Sequence, residues 1–259
     1  MNPPLPNLFH LLDGLQQRLL QVQKELDHVD GITSQQLYAL TTTLKKAFEA
    51  ERQKAQAFEH AIYEVLLRIA TALHFRDHHS GEHLTRVSQY SMLLALELGL
   101  PEPQVQLMYA AAPLYDLGKI GIPDVLLLKP GRLQQEERAV IEMHPTLGTS
   151  LVTGVTSPLL GTARQVILTH HEHWDGSGYP QGLKGEQIPL AGRIVMIAER
   201  YEALRCARPY RSALDHDRAR EILLHGDEKT KPEHFDPVLL TAFHAIHGDL
   251  AAIRDRRAS

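Results

Sequence analysis

Residues 170–180 read HHEHWDGSGYP, and this stretch carries the strongest chemical signal in the chain. Three histidines and two carboxylates fall within its first six residues, and a glycine-broken loop ending in Tyr179-Pro180 follows at once. Imidazole and carboxylate are the usual protein ligands for iron, manganese and zinc. Glycine also lets the backbone approach a bound ligand closely. The stretch therefore predicts a hydrolytic metal site with a substrate loop beside it.

The composition limits the class of protein. The chain has 259 residues, enough for one large domain with an appendage, and its net charge of −4 gives no reason to expect binding to long nucleic acid. Its single cysteine excludes an internal disulfide and suits a reducing compartment. Since no apolar run approaches membrane-spanning length and no signal-peptide pattern is present, we expect a soluble, cytoplasmic protein.

The first sixty residues have a pattern of their own. Leucine and valine recur at steps of four and three over residues 8–29, which is a heptad seam, and a second helix with an apolar stripe is predicted from Thr33 onward. Two interpretations stand: a helical hairpin packed on its own domain, or a coiled-coil segment for dimerisation or signal input. We divide the chain into a helical segment (1–61) and a following domain (62–259), and expect a homodimer through the N-terminal helices.

Beyond residue 60, helical patterns alternate with glycine- and proline-containing loops, and no strand-turn-strand series appears. Residues 119–131 are punctuated by prolines and a glycine and are predicted to be a loop. The pattern predicts an all-α fold. The predicted helices cover residues 83–98, 103–117, 134–143, 158–173, 189–205, 215–225 and 237–247.

Candidate metal ligands are scattered along this helical region, each at or near a helix end. In a bundle, such side chains can be aimed at one point. Any one of the histidines taken alone is better explained as a surface residue or a hydrogen-bonded core residue. Their combination with the loop at 170–180 favours a metal site. The candidates are His79, His83, Asp116, His144, His170, His171 and Glu199.

A series of short motifs, in order along the sequence, resembles those of a known family. Together they resemble the HD-GYP domain, a branch of the HD phosphohydrolase superfamily, over residues 62–247. The resemblance implies an all-α HD-domain helical bundle preceded by a coiled-coil-like segment. The motifs are HLTRV (83–87), AAPLYDLGKIGIPD (111–124), KPG (129–131), HPTLG (144–148), HHE to GYP (170–180), GLKG (182–185), RPYR (208–211) and FDP (235–237).

The resemblance also implies an activity and a set of site residues. Members are metal-dependent phosphodiesterases that hydrolyse cyclic di-GMP to pGpG or GMP with two or three metal ions, often iron or manganese. For this chain we expect one to three divalent ions, iron or manganese. Asp116 resembles a ligand that bridges two ions, and Lys119 resembles the lysine that holds phosphate or stabilises the leaving oxygen. The other implied ligands are His144 and His170 for one ion, with His171 nearby for a further ion, and His83 and Glu199 for the other. The implied nucleotide contacts are Gly178, Tyr179, Pro180, Arg208 and Arg211.

Three positions depart from the family pattern. Tyr115 stands where the family has the histidine of its His-Asp pair, and a neutral phenol is a poorer ligand than imidazole. Glu199 stands in place of an aspartate, and His79 in place of a glutamate that some members use. We therefore expect one ion to bind well and the second weakly or not at all. The alternative is that Tyr115 and Glu199 are compensating changes within an active enzyme.

Two functions of different classes follow. The first is a cyclic di-GMP phosphodiesterase, impaired to the extent that Tyr115 and Glu199 weaken the second ion site. The second is a catalytically degenerate module for signal transduction that binds cyclic di-GMP or a partner protein and passes its state through the N-terminal helices. A different phosphorylated substrate of the HD superfamily is a third possibility.

Overall fold

The structure is a computed structural model of the chain, and the regions it describes are helical. It divides the chain into two compact units, one ending at Val65 and the other beginning at Leu66. The boundary expected between residues 61 and 62 stays a prediction. The described residues are 14, 17–18, 20–21, 24, 32–76, 81–154, 157–207 and 212–255.

Several sequence predictions fall outside this range. Most of the predicted heptad seam over residues 8–29 lies there, as do the candidate ligand His79 and the candidate nucleotide contacts Arg208 and Arg211. Their roles stay predictions.

Ten α-helices and four short 3₁₀ turns make up the described regions, where no strand occurs, so the predicted all-α class is confirmed. None of these helices is both long enough and apolar enough to cross a bilayer. The helices are α1 (Ile32–Arg76), α2 (Gly81–Glu97), α3 (Glu102–Ala111), α4 (Asp124–Leu127), α5 (Gln135–Ile141), α6 (His144–Leu151), α7 (Pro158–Thr169), α8 (Leu190–Arg205), α9 (His216–His225) and α10 (Pro237–Asp255). The 3₁₀ turns are Ala112–Leu114, Leu117–Gly121, Gly185–Gln187 and Pro232–His234.

Helix α2 is the central element of the unit that begins at Leu66. Val87, Tyr90 and Leu94 recur at steps of three and four along it and are fully buried. This apolar stripe packs against α3, α8 and α10. Burying each such side chain contributes about 1.5–3 kcal/mol. The packing fixes α2 in the bundle and thereby holds the polar residues of its first turns, His83 among them, inside the protein.

The prediction of a loop over residues 119–131 was wrong in part. The chain forms a 3₁₀ turn at Leu117–Gly121 and a one-turn helix, α4, at Asp124–Leu127. Pro123 does not interrupt helical structure here, because it lies just before the first turn, where a missing N–H costs nothing. Asp124 follows in the first turn of α4, where a carboxylate favours the helix dipole.

Candidate metal centre

The turn that carries Asp116 and Lys119 is packed directly against the start of α6. Gly118 makes this possible, because a Cβ there would collide with the carbonyl oxygen of His144 and the amide nitrogen of Gly148. Only glycine fits such an approach of two backbone segments. The contact brings His144 alongside Asp116, although 28 positions separate them in the sequence.

Two histidines of the site are oriented by backbone carbonyls. The Nδ1 atom of His144 lies 2.8 Å from the carbonyl oxygen of Ile141, and Nδ1 of His170 lies 3.1 and 3.0 Å from those of Val166 and Ile167. A carbonyl can only accept, so each Nδ1 carries the proton and donates. Each Nε2 is then left with its lone pair, which is the arrangement typical of metal-binding histidines.

These lone pairs converge on one carboxylate oxygen. The Nε2 atoms of His144 and His170 are 3.3 Å apart and lie 3.3 and 3.8 Å from Oδ1 of Asp116. That oxygen is buried, and none of the described residues donates a hydrogen bond to it. His171 completes the group, and one ligand atom from each of the four residues lies within 4.8 Å of the others. We call these four residues the Asp116 cluster. Acceptor atoms that face one another without a proton between them are suited to a bound cation.

The protonation states in the Asp116 cluster also favour a bound cation. Burial lowers the pKa of His170 to about 3, and it also lowers the pKa values of His144 and His171. Burial alone would raise the pKa of Asp116, but the Lys119 ammonium, 2.8 Å from Oδ2, holds it well below its usual range. The cluster therefore presents neutral imidazoles and a charged carboxylate, the forms that bind divalent ions.

Tyr115 does not point its hydroxyl into the Asp116 cluster. The hydroxyl oxygen lies 2.9 Å from Nε2 of His83 and 3.2 Å from Nε2 of His74, and the side chain is buried. The edge of its ring packs against His170, with ring centroids 5.2 Å apart. His74 was missed in the sequence analysis because it belongs to no recognised motif. It lies near the end of the long helix α1, whose pattern there is that of an ordinary apolar stripe.

The other ring nitrogen of His83 faces a carboxylate that was not predicted as its partner. Nδ1 lies 3.4 Å from Oε1 of Glu202 and 3.9 Å from Sγ of Cys206. Burial disfavours a charged imidazole, but the interactions with Cys206 and Glu202 outweigh it and raise the pKa of His83 to about 9. His83 is therefore a cation at neutral pH, and both of its ring nitrogens donate.

These contacts define a directed chain of hydrogen bonds. His83 donates from Nδ1 toward Glu202 and from Nε2 to the Tyr115 oxygen. The Tyr115 hydroxyl then donates to Nε2 of His74, whose Nδ1 donates to the carbonyl of Ala70 at 3.1 Å. Burial lowers the pKa of His74 to about 4, so it is neutral and can accept. In this series of hydrogen bonds, neither ring nitrogen of His83 offers a lone pair to a metal ion.

Glu202 is the centre of a second polar cluster. It is completely buried, with Arg86 guanidinium nitrogens 2.7 and 2.8 Å away and Arg254 at 3.1 Å from both of its oxygens. The hydroxyl of Tyr90 donates to it at 3.2 Å and the thiol of Cys206 at 3.0 Å. Burial opposes its ionisation, but the hydrogen bonds and charges of His83 and Arg86 lower its pKa to about 2. With two arginines already paired to it, this carboxylate has little need of a metal ion.

The sequence analysis placed Glu199, not Glu202, with His83. The structure brings Glu202 to His83, while the half-buried Glu199 acts electrostatically on His144 and Tyr179, on the side of the Asp116 cluster. Residues three apart on a helix point about 60° apart around its axis, so the two glutamates of α8 face different neighbours. Motif position alone gave no means to choose between them. The role of Glu199 as a ligand stays a prediction.

The loop predicted to bind substrate is anchored by a buried carboxylate. Glu172 accepts hydrogen bonds from the backbone N–H groups of Gln181 at 2.7 Å and Leu183 at 2.9 Å, and it is almost fully buried. These bonds pin the residues after the GYP motif to the segment that carries His170 and His171. The sequence analysis gave Glu172 no role of its own.

Tyr179 and its neighbours line the same side of the site. The ring of Tyr179 stacks on His171, with centroids 4.6 Å apart and planes 22° from parallel. Gly178 leaves no room for a side chain, because a Cβ there would collide with the backbone of residues 171–173. Pro180 is half-buried, as are Gly178 and Tyr179. The motif is therefore held against the Asp116 cluster, partly exposed to solvent.

The chain is similar to proteins that are already known. The family described as "HD domain" matches residues 68–239. A protein of Vibrio cholerae named "Cyclic di-GMP phosphodiesterase" is 37% identical to the chain, over 88% of the chain and 46% of that protein. The "Cyclic di-GMP phosphodiesterase response regulator RpfG" of Xanthomonas campestris is 41% identical, over 68% of the chain and 50% of that protein. The chain thus spans about half the length of these relatives.

A solved structure shares the architecture. It is a cyclic GMP-AMP specific phosphodiesterase of V. cholerae, to which the chain is similar with a TM-score of 0.51 and 20% identity, over 72% of the chain and 49% of that structure. At this identity the likeness concerns the fold alone.

Proposed function

Since the chain belongs to the HD-domain family, we propose that it is a metal-dependent phosphodiesterase that hydrolyses cyclic di-GMP to pGpG or GMP. Relatives of 37% and 41% identity carry this activity in their names. The observation that carries the proposal is the convergence of two imidazole lone pairs on the buried Oδ1 of Asp116, to which no described residue donates a hydrogen bond. A site of this kind needs a cation, and phosphodiester hydrolysis is a reaction that a divalent cation assists.

The Asp116 cluster is the proposed cation site, with Asp116, His144, His170 and His171 as its ligands. A bound divalent ion would supply Lewis acidity, polarising the phosphoryl group and making water a stronger nucleophile. Mixed imidazole and carboxylate ligands suit iron and manganese, which are our proposed ions. Calcium and magnesium prefer ligand sets made wholly of oxygen.

Lys119 and Tyr179 are the proposed substrate contacts among the described residues. The ammonium of Lys119 lies 2.8 Å from Asp116, so it brings a positive charge to the edge of the cluster, where it can hold a phosphate oxygen. The half-buried ring of Tyr179 offers an aromatic surface beside His171 on which a base can stack. The phosphate and the base would then be held by different side chains, which orients the scissile bond.

Metal analysis combined with turnover tests this proposal. The protein purified under reducing conditions is expected to contain at least one iron or manganese ion per chain and to convert cyclic di-GMP to pGpG or GMP. Elemental analysis and chromatography of the nucleotide products measure the two properties on the same sample. Cyclic GMP-AMP is the matched alternative substrate. Protein that is loaded with metal but releases no product from cyclic di-GMP would contradict the proposed activity.

A specific observation favours the second candidate, a degenerate module that binds cyclic di-GMP or a partner protein. Buried hydrogen bonds run from Glu202 through His83 and Tyr115 to His74. They occupy the polar atoms of His83 and Tyr115, two positions that the family resemblance assigns to a second ion. A single ion lacks one side of the phosphate clamp that a pair provides. In this case the nucleotide would bind and the state of the site would be passed to a signalling partner without turnover.

Tyr115→His is expected to separate the two candidates. It restores imidazole at the altered position and removes the hydroxyl that joins His83 to His74. We expect a second ion per chain and a rise in turnover of about tenfold or more, since losing a single group around a metal commonly costs 10–100-fold in affinity or activity. Tyr115→Phe is the matched control, because it breaks the same hydrogen bonds without adding a ligand. Equal metal content in wild type and Tyr115→His would contradict our diagnosis of the altered half-site.

The remaining assignments complete the proposal. We propose that residues 1–61 form a helical segment through which two copies associate, and that residues 62–259 form the HD-GYP domain. The single cysteine and the proposed intracellular signalling nucleotide support a cytoplasmic location.

A further inference from the structure

Helix α1 presents an exposed apolar seam that the described part of the chain leaves uncovered. Leu40, Leu44, Phe58 and Val65 are between 46% and 66% exposed. They follow one another at steps of 4, 14 and 7 residues, which are sums of three- and four-residue steps, so they lie along one side of the helix. With the exposed residues between them, they form the exposed seam: Leu40, Leu44, Ala47, Glu51, Lys54, Phe58, Ala61 and Val65.

The seam is separate from the face of α1 that is buried within the chain. Thr41 and Phe48, each next in sequence to a seam residue, are 5% and 8% exposed. Large apolar side chains repeated in a heptad pattern on a solvent-exposed face are typical of a helix that pairs with another helix. The occupant of the seam is therefore expected to be a helix of matching pattern, and a second copy of the chain supplies one.

The seam complements itself when a second copy runs in the opposite direction. About a two-fold axis between residues 52 and 53, Glu51 meets the partner's Lys54 and Lys54 meets the partner's Glu51. The same axis places Ala47 opposite the partner's Phe58. In both layers the residues are complementary, in charge at the centre and in size next to it. Within the described part of the chain, Glu51 and Lys54 pair with each other, at 3.3 Å, on the exposed surface.

The outer layers are also complementary. Leu44 faces the partner's Ala61, a large residue against a small one, and Leu40 faces the partner's Val65, two branched apolar side chains at each end of the seam. A large residue against a small one keeps the distance between the helix axes even along the seam. The register that pairs the charges is thus also the one that pairs the volumes.

A parallel pairing lacks this complementarity. In register, it sets Glu51 against the partner's Glu51 and Lys54 against the partner's Lys54, so two adjacent layers oppose like charges at the centre of the seam. It also sets Phe58 against Phe58 and Ala47 against Ala47, which alternates wide and narrow layers. Like charges across a helix pair are destabilising and determine partner orientation.

We propose that the chain forms an antiparallel homodimer through the exposed seam of α1, centred between residues 52 and 53. The inference rests on the proposed function only in its expectation of a homodimer. It adds the face, the register and the direction of the pairing. With about three heptads, the seam is short for an isolated coiled coil, so the full chain is the proper material for the test.

Distance measurement between spin labels tests the direction. One label is attached at Ala39→Cys, an exposed position beside the seam, in a Cys206→Ser background so that no other thiol reacts. In the proposed dimer the two labelled positions lie 27 residues apart along the pair, which is about 40 Å at about 1.5 Å per residue. A parallel pair would place them about 20 Å apart or less, since the helix axes are about 8–10 Å apart. A short distance, or no dimer at all, would overturn the proposal.

Charge substitutions test the register. Glu51→Lys places four lysines at the centre of the dimer and is expected to raise its dissociation constant about tenfold or more, since it replaces two exposed ion pairs by repulsion. Adding Lys54→Glu exchanges the two charges and should restore dimerisation. Glu49→Lys makes the same change on the opposite side of the helix, at an exposed position, and should leave the dimer intact. Sedimentation measures association, and circular dichroism confirms that each variant is folded. If Glu49→Lys and Glu51→Lys weaken the dimer equally, the seam is not the interface.

Turnover of cyclic di-GMP by the wild-type chain distinguishes a failure of the dimer proposal from a failure of the phosphodiesterase proposal. A monomer that hydrolyses the nucleotide overturns the dimer and leaves the phosphodiesterase proposal standing. An antiparallel dimer that shows no turnover supports the dimer proposal and overturns the phosphodiesterase proposal.

Discussion

Asp116→Asn is expected to lower the affinity for iron or manganese by more than about a hundredfold. Asparagine keeps the shape of the side chain but removes the charge, and its amide carbonyl or NH₂ group must face the lone pairs of His144 and His170. Loss of a group that merely supports a metal ligand costs about 10–100-fold, so loss of the central ligand costs more. Binding of Mn²⁺ to the metal-free protein, measured by calorimetry, provides a readout that does not depend on turnover.

The matched control is Asp217→Asn, which makes the same chemical change on the surface of α9, where the side chain is 82% exposed. Its Mn²⁺ affinity should equal that of the wild type. If the two variants bind Mn²⁺ equally well, the Asp116 cluster is not the cation site and the main proposal fails.

Glu202→Gln is expected to destabilise the fold by about 3–5 kcal/mol, because it leaves the buried guanidinium of Arg86 and the neighbouring Arg254 without their shared counter-charge. Glutamine fits the same volume, so the loss is electrostatic rather than a cavity effect. For a chain of this size, the melting temperature should fall by about 10 °C. Urea unfolding followed by circular dichroism measures the free energy of unfolding directly.

Glu221→Gln provides the control. This glutamate also pairs with an arginine, but it is 45% exposed, and its replacement should leave the free energy of unfolding nearly unchanged. Equal losses for the two variants would show that the arginines around Glu202 are compensated by solvent.

The dependence of folding stability on pH should follow the ionisation of Glu202. The pKa of Glu202 is lowered from 4.5 to about 2 in the folded protein, so the unfolded chain binds the proton more readily. Its contribution to stability is therefore complete above about pH 4.5 and is lost as the pH falls toward 2. In Glu202→Gln this part of the acid sensitivity should be missing.

Periodicity and motifs predicted much of the fold because both depend on local sequence. The apolar steps of α2 and the glycines and prolines between helices gave the all-α class and most helices. Residues 144–151 were not predicted as a helix, and the structure forms α6 there. Its first turn contains Pro145, which is favourable there, and the segment is too short for a periodic signal.

The site was predictable to the extent that its ligands belong to motifs. Asp116, His144, His170 and His171 were named from the sequence, and the structure brings them together. The partners of His83 were not predictable, since Glu202 rather than Glu199 faces it and His74 reaches it only through the hydroxyl of Tyr115. Which of two neighbouring glutamates turns inward depends on the rotation of α8 in the bundle, and no single-sequence pattern records that rotation.

The close approach at Gly118 has a consequence for the tolerance of this position to substitution. Because main chain meets main chain there, even the methyl group of alanine cannot be accommodated by a change of rotamer, and it would push apart the segments that carry Asp116 and His144. A single backbone contact thus sets the spacing of two proposed ligands that lie 28 positions apart in the sequence.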